Sequence, residues 1–169
     1  MVIFMRIYFM RHGDYREKSL NSLGKKQVKY SSRYLSNCNI VSIYSSPLTR
    51  CMESALIVNK LLKKDIIVDD RLKEREKIAS MRTSDDEKWF KNYLNVNYSS
   101  KKPEGAKQFF SRIKEFVLDI KEKHSEEENI LVVGHSSTLY ALAAYFYNVV
   151  DEAVWMAMGN GSIVCFEIK

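Results

Sequence analysis

The sequence predicts an α/β fold, a three-layer α/β/α sandwich around a mostly parallel central sheet. Three observations lead there. Short apolar runs alternate along the chain with longer stretches of helical period, and strands alternating with helices imply a mainly parallel sheet covered on both faces. Two runs, Ile3 to Phe9 and Ile130 to Val133, read as buried strands. Both lead directly into a histidine: the first into Met10-Arg11-His12-Gly13, the second into Gly134-His135. Open α/β sheets bind their ligands outside the carboxyl ends of strands, so two of the three histidines stand where chemistry is expected.

Residues 3–9 form the first strand, followed by a loop from Gly13 to Leu20. Asn21 or Ser22 caps a helix to about Leu35, and residues 40–45 (IVSIYS) form a second strand. Ser45-Ser46-Pro47 starts the next helix, with proline tolerated in the first turn. Leu48, Met52, Ala55, Leu56, Ile57, Leu61 and Leu62 give that helix an apolar side. Residues 66–68 are a short strand, and 71–103 is the least regular stretch, with helical character near Asp85–Leu94. From about Glu104 to Lys123, Phe109, Ile113, Phe116, Val117 and Ile120 recur at helical spacing and mark one buried face. A strand at 130–134, a helix at 137–147 and a last strand at 162–168 complete the chain. There is no internal repeat, low-complexity tract or linker, so 1–169 reads as one domain, with 71–103 as a substrate-facing insert.

The 46% hydrophobic and 28% charged composition is that of a soluble globular chain. No apolar run reaches the ~18–20 residues that span a bilayer. The N-terminal run carries Arg6 and lacks a small-residue cleavage site, so it reads as a strand and not as a signal peptide. Cys38, Cys51 and Cys165 are odd in number and lack metal-type spacing. Cys51 and Cys165 fall in apolar patterns and read as buried thiols, and a reducing cytoplasm is the simple expectation. The net charge of +6 comes from scattered lysines and not from a dense basic face, which argues against nucleic-acid binding. His124 lies in a charged stretch and reads as solvated.

Arg50 falls in the first turn or so of the helix after Pro47, and His135 just precedes another helix. Convergence of Arg11, His12, Arg50 and His135 would make a pocket of two guanidiniums, two imidazoles and oriented amides. Its natural guest is a phosphate dianion, which a guanidinium fork grips with paired bonds. A neutral imidazole nitrogen can attack phosphorus and form a covalent intermediate, and an alkoxide leaving group then needs a carboxylic acid nearby.

These residues and their neighbours resemble the histidine phosphatase superfamily, the phosphoglycerate mutase-like family. The resemblance rests on an ordered set: Arg11-His12-Gly13, Leu20 to Val28 (LNSLGKKQV), Ser45 to Ala55 (SSPLTRCMESA), Leu72-Lys73-Glu74, Val132 to Ser136 (VVGHS) and Asn160-Gly161-Ser162. It covers nearly the whole chain. It implies that His12 is the nucleophile, that Arg11, Arg50 and His135 bind the phosphoryl group, that Glu74 is the proton donor, and that neither metal nor cofactor is needed. Glu76 is the alternative donor. Tyr15, Arg75 and Arg82 are the candidates for contact with the rest of the substrate. Tyr140, Tyr145, Tyr147 and Trp155 read as core or interface. The chain departs from the family where Asp14-Tyr15-Arg16-Glu17-Lys18 follows the first motif and Ser136-Ser137 follows the second histidine.

The expected function is metal-independent hydrolysis of the phosphate monoester of a small metabolite, with no nucleic-acid or membrane partner. The alternatives are a protein phosphohistidine phosphatase, mutase-type phosphotransfer and a non-catalytic phosphate binder. The sequence leaves the oligomeric state open, and the aromatic-rich C-terminal region allows a homodimer.

Overall fold

The computed structural model describes residues 4–75, 104–148 and 158–168. Among these, a five-stranded sheet is ordered β5-β4-β6-β1-β7. Its strands are β1 (Met5–Arg11), β4 (Ile40–Ser45), β5 (Ile66–Val68), β6 (Asn129–Gly134) and β7 (Ile163–Ile168). A two-residue pair, β2 (Tyr15–Arg16) with β3 (Ser19–Leu20), folds the 13–20 loop into a hairpin. The helices are α1 (Ser22–Leu35), α2 (Thr49–Leu62), α3 (Ala106–Lys123) and α4 (Ser136–Tyr147), with a 3-10 turn at Asp70–Leu72. The predicted architecture is the observed one: β1, β4, β5 and β6 pair in parallel and only β7 runs antiparallel, against β1.

The alternation of β1 explains the three layers, because successive strand residues point to opposite faces. Ile7 and Phe9 join one core with Phe109, Ile113, Phe116 and Val117 of α3 and Leu139 and Leu142 of α4. Tyr8 and Met10 join the other core with Val28 and Leu35 of α1 and Cys51, Ala55 and Val58 of α2. Burying β1 on both faces removes it from solvent, and its carboxyl end is aligned with that of its neighbours. Arg11 pairs with Gly134, and Ser45 pairs with Val133. His12, Ser46 and His135 therefore leave the sheet at one level. His12 N donates to the Gly134 carbonyl at 3.0 Å, and Ser46 N donates to the Val133 carbonyl at 3.0 Å.

Four local expectations are corrected. Pro47 lies outside α2, and Leu48 in extended conformation is the N-cap, because Ser46 Oγ accepts the Leu48 N–H and turns the chain before the helix begins. The buried side of α2 is Cys51, Ser54, Ala55 and Val58, while Leu56 and Leu61 are exposed. That seam of small residues at i, i+3, i+4 and i+7 sets the phase of the helix. Cys165 is exposed, because edge strand β7 turns Phe166 and Ile168 inward instead. His124 caps α3, and its imidazole is held between the Tyr44 hydroxyl and Glu128, at 2.9 Å from each. Buried Tyr44 needs a partner for its polar tip, and His124 provides it. Tyr140 is core, whereas Tyr145 and Tyr147 are exposed. The helical stretch expected near Asp85–Leu94, Trp155, Glu76 and Arg82 lie outside the described residues. Among the described residues no helix is long and apolar enough to cross a membrane.

Candidate active site

Close packing of two glycines shapes the floor beneath His12. A Cβ on Gly13 would lie 2.4 Å from the Gly24 carbonyl oxygen, and one on Gly24 would lie 1.9 Å from the Asp14 carbonyl oxygen. The loop after β1 therefore rests directly on the first turn of α1. Side chains fix it there. Asn21 caps α1 by accepting the Gly24 N–H at 2.8 Å, and its Nδ2 donates to Asp14 Oδ2 at 2.6 Å. Asp14 N donates to Gln27 Oε1, and Asn160 Nδ2 donates to Asp14 Oδ1. The Asn21 bond leads in holding the Asp14 carboxyl below the usual carboxylate range. Gly161, at φ +76°, gives its N–H to the Arg11 and His12 carbonyls.

His12 is 2% exposed. Its Nδ1 lies 2.8 Å from the Gly13 carbonyl oxygen, an acceptor, so Nδ1 carries the proton. That leaves Nε2 unprotonated, and its lone pair accepts from Arg50 Nε at 3.1 Å. Burial pushes the His12 pKa down to about 4, against the opposing effect of the Gly13 carbonyl; His135 and Arg50 push it the same way as burial. The ring is neutral at physiological pH.

Arg50, in the first turn of α2, links the whole site. Its Nη2 lies 3.0 Å from Glu74 Oε2 and 3.2 Å from His135 Nδ1. Its Cζ sits 4.6 Å from the centre of the Tyr15 ring, and that ring meets His12 edge-on at 5.1 Å. Tyr15 therefore walls the site, as expected for a residue at its mouth. Ser54, one turn further along α2, accepts the Gly13 N–H and donates to the Arg50 carbonyl, which couples α2 to the His12 loop.

His135 is fully buried at the N-cap of α4. Its Nε2 lies 2.9 Å from Ser46 Oγ, and its Nδ1 lies 3.2 Å from Glu74 Oε2. With Ser46 donating to Nε2, Nδ1–H donates to the carboxylate. Burial lowers the His135 pKa and outweighs the raising effect of Glu74. Glu74 follows the 3-10 turn and is braced twice, by Arg50 on Oε2 and by the Ser137 hydroxyl, which donates to Oε1 at 2.9 Å. Arg11 donates through Nη1 to the Met158 carbonyl at 2.6 Å, while its Nε is buried with no hydrogen-bond partner. Burial lowers its pKa, against the attraction of Glu74 and Tyr15.

The segment carrying Glu74 is strapped to α3. Arg71 bridges Asp69 and Asp119, and Arg112 donates to the Arg71 carbonyl and pairs with Glu104. Arg75 is 5% exposed, and its Nε donates to the Glu104 carbonyl at 3.1 Å. This bond ties the residue after Glu74 to the start of α3.

His12, Glu74 and His135 could in principle ligate a metal, since their donor atoms lie within 4.8 Å of one another. The residues present do not fit one. The guanidinium of Arg50 already sits against His12 Nε2, His135 Nδ1 and Glu74 Oε2, so the position between them is filled by a fixed cation. Two guanidiniums, one carboxylate and two neutral imidazoles leave the cluster net positive, the electrostatics of an anion site.

The structure brings His12, Arg50, His135, Glu74 and Tyr15 together as the sequence suggested. Sequence reasoning missed Ser46, Ser54 and Ser137. Ser46 and Ser137 carried a usable signal, since both nitrogens of a buried imidazole need partners, as does the carboxylate of a buried acid; Ser54, which bonds only backbone groups here, carried none.

The sequence profile of the histidine phosphatase superfamily (branch 1) matches residues 7–169, and the chain belongs to this superfamily. It is 28% identical to a protein named putative phosphoserine phosphatase 2 of Hydrogenobacter thermophilus, over 94% of this chain and 87% of that one. It is 24% identical to phosphoserine phosphatase 1 of the same organism, over 86% and 72% of the two chains. Bacillus stearothermophilus YhfR superimposes with a TM-score of 0.80 at 24% identity, covering 98% of this chain and 92% of that chain. A mycobacterial glucosyl-3-phosphoglycerate phosphatase superimposes with a TM-score of 0.76 at 20% identity, covering 95% and 89%. These two likenesses establish a shared fold.

Proposed function

From membership of this superfamily and the geometry around His12, we propose that the protein hydrolyses phosphate monoesters of small metabolites through a phosphohistidine on His12, without a metal. The observation that carries this reading is the single bare nitrogen of His12. Nδ1–H is anchored on the Gly13 carbonyl, so Nε2 alone presents a lone pair, and it does so beside a guanidinium. Arg50 and Arg11 are the grips for the equatorial oxygens, with His135 beside Arg50. Phosphoryl transfer needs little from the protein beyond such positioning and fixed positive charge.

In the first step His12 Nε2 bonds to phosphorus as the ester P–O bond breaks, and the departing oxygen takes the proton of the Glu74 carboxylic acid. In the second step Glu74 takes a proton from water, the water oxygen bonds to phosphorus, and the P–N bond breaks to release inorganic phosphate and neutral His12. Segment 71–103, which begins with the strapped Glu74 loop, is the substrate-facing insert of a single domain. The names of the two Hydrogenobacter relatives make phosphoserine the first substrate to test.

The second reading, a protein phosphohistidine phosphatase, needs less acid catalysis because a phosphoamidate leaving group departs more easily. Glu74 lying within 3.2 Å of His135 Nδ1 in the same cluster as His12 favours the ester. The test is release of inorganic phosphate from a panel of monoesters, phosphoserine included, with chelator present, for wild type and His12→Ala. Turnover that survives chelator and vanishes in the variant supports the proposal, whereas equal turnover in the two proteins overturns it.

A further inference from the structure

We propose that Ser137 is the positioning residue of the acid: its hydroxyl, 2.9 Å from Glu74 Oε1, fixes which carboxylate oxygen faces the leaving group and steadies the acid through both steps. This rests on the reading of Glu74 as proton donor and adds to it a residue in which the chain departs from the family pattern.

The two oxygens of Glu74 have different neighbours. Oε2 is taken by the cation of Arg50 and by His135 Nδ1, at 3.0 and 3.2 Å. A proton on Oε2 would meet the N–H groups of that guanidinium head-on. Oε1 meets a hydroxyl, the one kind of group that can donate to an ionised carboxylate and accept from a protonated one by rotating about its own C–O bond. Oε1 is therefore the oxygen that carries the transferable proton, and Ser137 Oγ serves it in both states. The hydroxyl is itself well placed. Ser137 is 1% exposed in the first turn of α4, two residues from His135, so the helix that supplies a phosphate-facing imidazole also sets the acid. The segment of Glu74 has no regular structure of its own at that point. Its straps, Arg71 and Arg112, hold its backbone to α3 but not the end of the side chain.

Other titratable groups also face this carboxylate. Arg50 and Cys51 of α2, Arg11 and His12 at the end of β1, and His135 before α4 all face it, and Arg112 of α3 acts on His135. Removing the Ser137 hydroxyl leaves all of these in place, so its effect is separable from theirs.

The experiment compares wild type, Ser137→Ala, Ser137→Thr and Glu74→Gln on a phosphate monoester and on phosphoramidate. The inference requires a fall of about 3- to 10-fold in kcat on the ester for Ser137→Ala, the scale of one hydrogen bond, with KM within about twofold. It requires Ser137→Thr to recover most of the loss. Formation of phosphohistidine from phosphoramidate at the wild-type rate shows that Ser137→Ala is folded with its phosphate grips intact. Unchanged ester kcat in Ser137→Ala, with Glu74→Gln crippled, overturns this inference and leaves the proposed function standing. Full ester activity in Glu74→Gln instead overturns the acid's role itself, and the inference with it.

Discussion

The two halves of the site are built differently. The phosphate half consists of His12, Arg11, Arg50 and His135, set where β1 and β6 end and where α2 and α4 begin. Its backbone is held by the sheet ladder and by two abutting glycines. The acid half is Glu74, on an irregular segment strapped to α3 by arginines and trimmed by one serine. The phosphate half depends on regular structure and buried apolar packing, and the acid half on ion pairs between partly exposed side chains. On the proposed reading, the groups that grip the phosphate are thus fixed by the fold, and the group that meets the leaving group sits on an irregular segment, where sequence changes without disturbing the core.

The largest effect that would break this comparison is at His12. Substitution of His12 by alanine should lower ester turnover by at least about a thousandfold, since it removes the bond-forming atom. Residual activity within tenfold of wild type would dissolve the phosphate half as described. Arg50→Ala follows, with a loss of roughly 10²–10³ in kcat/KM, because a preorganised positive donor is removed. Glu74→Gln should cost about 10²–10⁴ on esters while sparing the formation of phosphohistidine from phosphoramidate. An equal loss on both substrates would show the two halves to be one unit.

Acidification probes the phosphate half alone. The pKa of His12 is depressed from its ordinary value to about 4, so Nε2 stays bare until the pH falls into that range. The acid limb of kcat/KM should therefore lie near pH 4, with activity rising as pH increases through it, instead of at the pH 6.5 of a free imidazole. The same depression stabilises the fold above the unfolded-state pKa, a contribution lost as pH falls from there through about 4. The smallest functional effect is expected at Gly24, which no substrate touches. Gly24→Ala places a Cβ 1.9 Å from the Asp14 carbonyl oxygen, and overpacking of this kind costs about 1–3 kcal/mol. Its Tm should drop by several degrees, while the turnover of the folded fraction is largely kept.

The difference between the halves also explains what the sequence revealed. Arg11, His12 and His135 could be found because continuous apolar runs announce buried strands and the next residues occupy their ends. Arg50 could be found because Ser46-Pro47 marks a helix start. Glu74 stood in a run of mixed charges, where composition cannot separate an acid aimed inward from one in solvent. Arg75 in the same run is buried and bonds the Glu104 carbonyl. His124 misled for the same reason, since nothing local announces a hydroxyl 80 positions away at Tyr44. Ser137 read only as a departure from a family pattern, because its partner Glu74 lies 63 positions away in sequence. Pairings between distant side chains depend on helix phase and strand register together, and a local pattern holds neither.

The most direct measurement is to mix enzyme with a labelled phosphate monoester, quench in alkali where phosphohistidine survives, and locate the label by peptide mapping. The account predicts a phosphoryl group on Nε2 of His12 that disappears at the rate of turnover and is absent in His12→Ala. Turnover with no label on His12 at any quench time, together with normal activity in His12→Ala, would contradict it.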